Sequence, residues 1–341
     1  MKKRRSHWYP VLFTIGLLAF SSYALLDTFV IPHSITSVRA ETVDEKESNV
    51  QENVEAVETD ADTETTQNEA TAGAETTKEN TEDTTESAVE TADDFDNAVI
   101  TDTSYEDDNI SIRLQTIEKY DTTVYVTDVQ VSSPEYLKTA LAHDTYGTNI
   151  TETTSSQAEE KGAILAINGD YYGANKSGYV IRNGEIYRDT QRDDGEDLVI
   201  CEDGSFAIIQ ESEVSAQELA DQGVTQLLAF GPALVEDGEI AVDEDTEVGK
   251  AMASNPRTAI GIIDDCHYII VVADGRSSES AGLSLYELAG IMKEYGCMTA
   301  YNLDGGGSST LYFNGQVINN PTTNGHSFKE REVSDIVYIG Y

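Results

Sequence analysis

Four two-residue turn signals, Asn183-Gly184, Asp203-Gly204, Asp237-Gly238 and Asn314-Gly315, each stand between stretches rich in β-branched and aromatic residues. A type I′ turn needs positive φ at both central positions, which Asn, Asp and Gly tolerate best. The four sites therefore predict hairpins, and hairpins join antiparallel neighbours. From Thr122 onward apolar residues alternate, as at Val124, Val126, Val129 and Val131, the period of a half-buried strand. Helical patterns are fewer, over residues 134–142, 215–222 and 284–295. In the last, Ser284 with Glu287 makes a capping box, Leu285, Leu288, Ala289, Met292 and Tyr295 share a face, and Gly296 can take a left-handed exit position. The expected fold is α+β, a mixed, largely antiparallel twisted sheet with a few packed helices.

Not all 341 residues can join that fold. Residues 41–97 are Thr, Glu, Asp, Ala and Asn with almost no large apolar side chain, so they cannot bury enough surface to offset chain entropy. Residues 41–100 are expected to be a disordered, self-repelling acidic spacer. Ahead of them, Lys2, Lys3, Arg4 and Arg5 precede a nearly uncharged run from Trp8 to Leu26. Residues 1–40 thus read as a membrane anchor or a signal peptide. The apolar run from Val11 to Leu26 is shorter than the roughly 20 residues of a spanning helix. Extension through Asp27 to Ile31 would serve an anchor, whereas Val38-Arg39-Ala40 offers a cleavage site.

Either reading exports residues 101–341, at the cell surface or as a secreted form. That part carries 14 Lys and Arg against 42 Asp and Glu, a net −28 of the chain's −42. So acidic a surface repels phosphate backbones and argues against a nucleic-acid partner. Cys201, Cys266 and Cys297 form no CxxC pair and have no histidine at zinc-finger spacing, so no structural zinc site is expected. A disulfide with one leftover thiol stays open beside three buried thiols, with Cys201 expected to be buried.

Three consecutive glycines follow an apolar run over residues 298–303, in Asp304-Gly305-Gly306-Gly307-Ser308-Ser309. Glycines cost conformational entropy, so such a loop needs unusual backbone angles or close approach of a ligand. Its N–H groups and serine hydroxyls could converge on an anion; the other reading is a tight, ligand-free turn. No lysine follows the glycines and no GxGxxG follows a first strand, which disfavours nucleotide binding.

A second cluster, Asn168-Gly169-Asp170-Tyr171-Tyr172, ends another apolar run. Its rings could stack on a sugar while Asn and Asp bind hydroxyls, or the tyrosines could pack beneath a turn. Arg257, in Asn255-Pro256-Arg257-Thr258-Ala259, and Arg276, in Asp274-Gly275-Arg276-Ser277, stand where basic residues are scarce. A guanidinium forks well onto phosphate, and equally onto a neighbouring carboxylate. Taken alone, Glu330-Arg331 reads as a surface ion pair. His143 and His267 read as structural, and His326, in a polar loop, is an acid/base candidate. Neither HExxH nor GxSxG is present.

In this order, these pieces resemble the phosphodiester glycosidase family, over Ala163 to Tyr341. The resemblance rests on the 168–172 and 255–259 clusters, on Asp274-Gly275-Arg276, on Gly296-Cys297 leading to Asn302-Leu303-Asp304 and the glycine loop, and on Glu330-Arg331-Glu332-Val333-Ser334-Asp335. It implies a catalytic domain over residues 101–341 that hydrolyses a sugar-1-phosphodiester, of the N-acetylglucosamine type, in cell-surface glycans or exopolysaccharide. It further implies Asp304 as leading carboxylate and Asp170 as the second. Arg257 or Arg276 would hold phosphate with the backbone of Gly305, Gly306, Gly307, Ser308 and Ser309. Asn168 and Asn302 would bind sugar hydroxyls, with Tyr172, Asp274, Glu330 and Arg331 also in the substrate site. A phosphodiester leaving group is already anionic, so donors for its growing charge matter more than strong acid assistance. A carboxylate is still required to stabilise an oxocarbenium-like sugar or to activate water.

Two other readings compete. Asp170, Asp274 and Asp304 could together bind a divalent cation for cleavage at phosphorus, the single cofactor the sequence suggests. The domain could instead be a non-catalytic polysaccharide-binding module displayed on the acidic stalk.

Overall fold

The computed structural model describes residues 20–21, 33–34, 98–247 and 254–341. The expected anchor or signal falls almost wholly outside these residues, as does the expected spacer up to residue 97. Val99–Thr101 already pairs with Ser104–Glu106, so ordered strand begins inside the stretch that composition assigns to the spacer.

Strands dominate, in three principal sheets. The largest has nine, in the order Glu239–Ile240, Ala233–Glu236, Thr299–Asn302, Arg257–Asp264, His267–Ala273, Thr122–Val131, Ile110–Lys119, Ser104–Glu106 and Val99–Thr101. A second sheet runs Gln316–Val317, Leu311–Phe313, Leu165–Asn168, Asp335–Ile339 and Leu137–Leu141. The third runs Glu185–Arg188, Val180–Arg182, Val224–Leu228, Glu196–Cys201 and Phe206–Gln210. A short pair, His33–Ser34 with Gly147–Thr148, stands apart from them.

Every pairing among the described residues is antiparallel, and no mixed sheet forms. Parallel neighbours need crossover connections of a dozen or more residues, commonly helical, and the helices here are few and short.

The turns show why. Asn183-Gly184, Asp237-Gly238 and Asn314-Gly315 have positive φ at both positions, at 51° and 77°, 51° and 76°, and 46° and 83°. Asp203-Gly204 also joins two paired strands, but only Gly204 has positive φ, within the longer connection 202–205. Tyr120-Asp121, with φ of 55° and 54°, joins the two longest strands with no glycine to announce it.

Three α-helices complete the described chain: α1 Thr154–Glu160, α2 Ala216–Asp221 and α3 Leu285–Glu294. The two expected ones, α2 and α3, each start with a formed capping box, Ser215 with Glu218 and Ser284 with Glu287. α3 buries Leu285, Leu288, Ala289, Ile291 and Met292. Residues 134–142 do not form the expected helix. Pro134–Tyr136 is a single 3₁₀ turn, after which Leu137–Leu141 pairs with Asp335–Ile339. The apolar residues there serve a strand's burial, which overrides a short helical pattern.

The central strands of the nine-stranded sheet are buried on both faces. Val124, Val126, Ile269 and Val271 join α3 in one apolar cluster. Tyr125, Val129, Ile270 and Val272 face a second cluster, shared with Leu165, Ile167, Leu198 and Val337 from the other sheets. Burial at about 25 cal/mol per Å² of apolar surface makes this two-sided layer the main favourable contribution to folding. No disulfide forms: all three cysteines are free, and Cys297 is the buried one, whereas Cys201 is partly exposed.

Candidate active site

The Thr299–Asn302 strand leads through Leu303 into Asp304, and the Leu303 N–H still donates to Thr258 O at 2.9 Å. The chain then wedges between three neighbours. A Cβ on Gly305 would lie 2.8 Å from the Pro256 carbonyl oxygen, one on Gly306 2.7 Å from Arg276 Nη2, and one on Gly307 2.3 Å from Thr323 Oγ1. Gly306 also has φ of 62°. Close packing thus accounts for the three glycines.

The loop is not an open anion cradle. Its Gly306, Ser308 and Ser309 N–H groups donate to the carbonyls of Pro256, Gly305 and Gly306. The Ser309 hydroxyl is buried, with no partner among the described residues.

Asp304 is 8% exposed. Its carboxylate accepts from Arg331 Nη2 at 2.7 Å, from the Ser308 hydroxyl and from the Gly305 N–H. Burial raises its pKa above the usual carboxylate range, while Arg331 and the Ser308 hydrogen bond oppose that rise. Arg331 also donates from Nε and Nη2 to Ser308 Oγ, at 2.8 and 2.5 Å. Its side chain stays 41% exposed. Arg331 therefore does not pair with Glu330, whose carboxylate accepts from the N–H and hydroxyl of Ser155 in α1.

Asp304, Ser308 and Arg331 line a cavity of about 190 Å³ together with Asp170 and Tyr171. Asp170 is held from three sides: Oδ1 accepts from Tyr172 N–H at 2.8 Å, and Oδ2 accepts from Arg182 Nη2 and Ala229 N–H, each at 2.9 Å. Arg182 is buried and reaches on to Asp335, with Nε and Nη2 at 3.1 and 2.6 Å. Burial, and then Asp170, push the Asp335 pKa up to about 8 against the pull of Arg182. Arg182 carries no signal in the sequence, and Asp335 enters there only as the last residue of the 330–335 motif, with no role attached.

The aromatic lining differs from expectation as well. Tyr171 is 47% exposed and borders the cavity, whereas Tyr172 is buried, stacks on Tyr146 at 5.4 Å and donates to Ser334 O.

The two asparagines expected on the sugar are framework residues. Buried Asn168 donates to Asp304 O at 2.7 Å and accepts from Thr258 Oγ1 at 2.9 Å, which fixes the backbone at the carboxylate. Buried Asn302 donates to Gly231 O at 2.7 Å. Asp274 accepts from Asn319 Nδ2 and from the Asn320 N–H and Nδ2, so it secures a loop. Asp170, Asp274 and Asp304 do not converge, and among the described residues no group of three His, Cys, Asp or Glu side chains is placed to hold a metal ion.

The two arginines part company. Arg276 donates from Nε and Nη2 to Asn255 Oδ1 and from Nη1 to Thr323 O, against the glycine loop. Burial and Arg331 lower its pKa while Asp304 raises it, which places its charge beside both. Arg257 is buried, donates from Nε to Leu283 O at 2.9 Å, and does not line the cavity. His326 is exposed and outside the cavity lining.

Asp304, Asp170 and the half-exposed Arg331 guanidinium line one small cavity, and paired carboxylates are the residue types a glycosidase site uses. Residues 161–340 match the phosphodiester glycosidase family model, and the chain belongs to that family.

Over 201 residues it is 33% identical to the SPbeta prophage-derived uncharacterized protein YomE of Bacillus subtilis (strain 168), a match covering 58% of this chain and 31% of that protein. Over 187 residues it is 27% identical to the N-acetylglucosamine-1-phosphodiester alpha-N-acetylglucosaminidase of Mus musculus, covering 50% of this chain and 35% of that one. The matches span about a third of these relatives' lengths. In fold, the chain is similar to the catalytic domain of the zebrafish N-acetylglucosamine-1-phosphodiester alpha-N-acetylglucosaminidase, with a TM-score of 0.54 and 22% identity over 68% of this chain and 83% of that one. A hypothetical protein from Synechocystis gives a TM-score of 0.50 at 16% identity, over 68% and 62% of the two chains.

Proposed function

We propose that this chain hydrolyses sugar-1-phosphodiesters at the anomeric carbon, outside the cytoplasm, releasing a free sugar and a phosphomonoester. One observation carries the reading: Arg331 bonds both Asp304 and Ser308 on the wall of a cavity that also holds Asp170. The family membership of residues 161–340 supports the bond type.

The residues divide the work as follows. Arg331, with Arg276 behind the glycine loop, offsets negative charge that grows on the departing phosphate oxygen as the bond to the sugar breaks. Asp170, immobilised by Arg182 and two backbone N–H groups, supplies a fixed negative charge for the oxocarbenium-like sugar. Asp304, whose proton affinity burial has raised, takes the proton of the water that adds to the anomeric carbon. Tyr171 offers its exposed ring to the sugar face. Asn168 acts at one remove by fixing the Asp304 backbone.

The basic and apolar N-terminal run supports an extracytoplasmic setting, where cell-surface glycans or exopolysaccharide would present such bonds. Hydrolysis of a synthetic N-acetylglucosamine-1-phosphodiester in ¹⁸O-labelled water tests the reading. Label in the released sugar is the expected result, and label in the phosphate would instead place attack at phosphorus.

A further inference from the structure

The inner cavity opens beside a larger hollow. The inner space, at about 190 Å³, is the smaller of the two, and the reading above seats one sugar ring in it. The outer hollow measures about 490 Å³ and shares Thr151, Arg331 and Glu332 with the inner one. Because Arg331 lines both spaces, a phosphodiester held there with its sugar inside has this outer hollow beside its other ester, the leaving alcohol.

The rest of the outer lining is Thr323, Asn324, Ser327, Lys329 and Glu330. No aromatic or large aliphatic side chain is among them, so the wall offers no ring to stack on a nucleobase and no large aliphatic side chain to hold a lipid.

Its charges are unequally committed. Glu330 accepts from the Ser155 N–H and hydroxyl, and Glu332 accepts from Thr151 Oγ1 at 3.1 Å. The Lys329 ammonium has no ion pair or hydrogen bond among the described residues, while its backbone N–H donates to Pro321 O at 2.7 Å. The wall is also preformed. Thr322 Oγ1 donates to Ser327 O at 2.8 Å and accepts from the Gly325 N–H at 2.9 Å, Arg276 Nη1 donates to Thr323 O at 2.8 Å, and Gly325 packs directly on the Arg276 carbonyl.

Resting on the phosphodiester glycosidase reading above, we infer that the outer hollow is a leaving-group subsite for a polyol chain that bears a second phosphate, bound by Lys329. The substrate class is then a sugar linked through phosphate to a polyol phosphate chain. A simple alkyl ester lacks the second phosphate, and a sugar nucleotide carries it directly on the first, without the polyol spacer, and adds a base for which the wall has no stacking ring.

The test compares kcat/KM of the full chain on three derivatives of N-acetylglucosamine 1-phosphate: two phosphodiesters, the methyl ester and the ester of glycerol phosphate, and one phosphoanhydride, the uridine diphosphate sugar. The glycerol phosphate ester should exceed both others by about tenfold, the scale of one charge-assisted hydrogen bond. Lys329→Ala should erase that advantage and leave methyl ester turnover unchanged, and Lys329→Arg should keep it. Equal rates on the methyl and glycerol phosphate esters, preference for the nucleotide sugar, or an equal loss on both diesters in Lys329→Ala would each overturn the inference. Failure of the unaltered protein to hydrolyse any of the three would instead remove the glycosidase reading, and this inference with it.

Discussion

At Asp304, burial and charge act in opposite directions. Desolvation raises its proton affinity, and Arg331 and Ser308 restrain the rise. Asp304→Asn should lower kcat by about 10³-fold with the fold intact, since general base catalysis contributes about 10²–10⁴. Full activity in a folded Asp304→Asn protein would remove it from the mechanism. Arg331→Gln deletes the neighbouring positive charge, so Asp304 should hold its proton to higher pH. The acid limb of the kcat/KM profile should then move upward in pH, and a limb that stays put or moves down would dissociate the two residues. Sequence spacing identifies both side chains, but not their contact: nothing local turns Arg331 away from Glu330 toward a carboxylate 27 positions earlier.

At the scale of the element, the glycine loop is a packing device before it is a binding device. Its N–H groups bond its own neighbourhood, and its missing side chains admit Pro256, Arg276 and Thr323. Gly305→Ala must displace the Pro256 backbone, and overpacking of this kind costs about 1–3 kcal/mol. Because Asp304 directly precedes Gly305, the strain reaches the carboxylate, and kcat should fall along with Tm. Gly315→Ala makes a useful contrast. No atom lies within 4 Å of its added Cβ, yet φ is +83°, so it should lose about 1–2 kcal/mol to backbone strain and keep its kcat/KM. Equal kinetic effects of the two would show that the loop does not position the carboxylate. Local signals were sufficient for α2 and α3: the Ser284–Glu287 capping box forms as the sequence reads, and α2 gains a second one from Ser215 and Glu218. They were insufficient for α1, a seven-residue polar helix, and misleading over residues 134–142, where pairing with Asp335–Ile339 decides the outcome.

Across the whole molecule, one buried ion cluster ties the layers to the cavity. Arg182 belongs to the third sheet, Asp335 to the second, and Asp170 to the cavity wall. Native Asp335 has its pKa raised to about 8, against about 3.9 in an unfolded chain. A proton held by the native state and released on unfolding stabilises the native state at low pH. That contribution is complete below about 4 and is lost as pH rises through about 8. Asp335→Asn should therefore show a shallower fall in Tm than the unaltered protein between about pH 5 and pH 8, by calorimetry. Parallel Tm curves would mean that Asp335 is ionised throughout.

By itself, the sequence determined the antiparallel hairpins, two of the three helices, the family, and the placing of Asp304 and Asp170 at strand ends. Those properties depend on turn chemistry, capping and motif order within a few residues. Only the tertiary structure decided that Tyr171 and not Tyr172 faces the cavity, that Asn168 holds Asp304 from 136 positions away, and that Arg182 joins Asp170 to Asp335, 153 positions from itself. Side-chain direction where a strand breaks, and the partner of a buried charge, depend on which remote segments the sheets bring together, and no local periodicity encodes that choice.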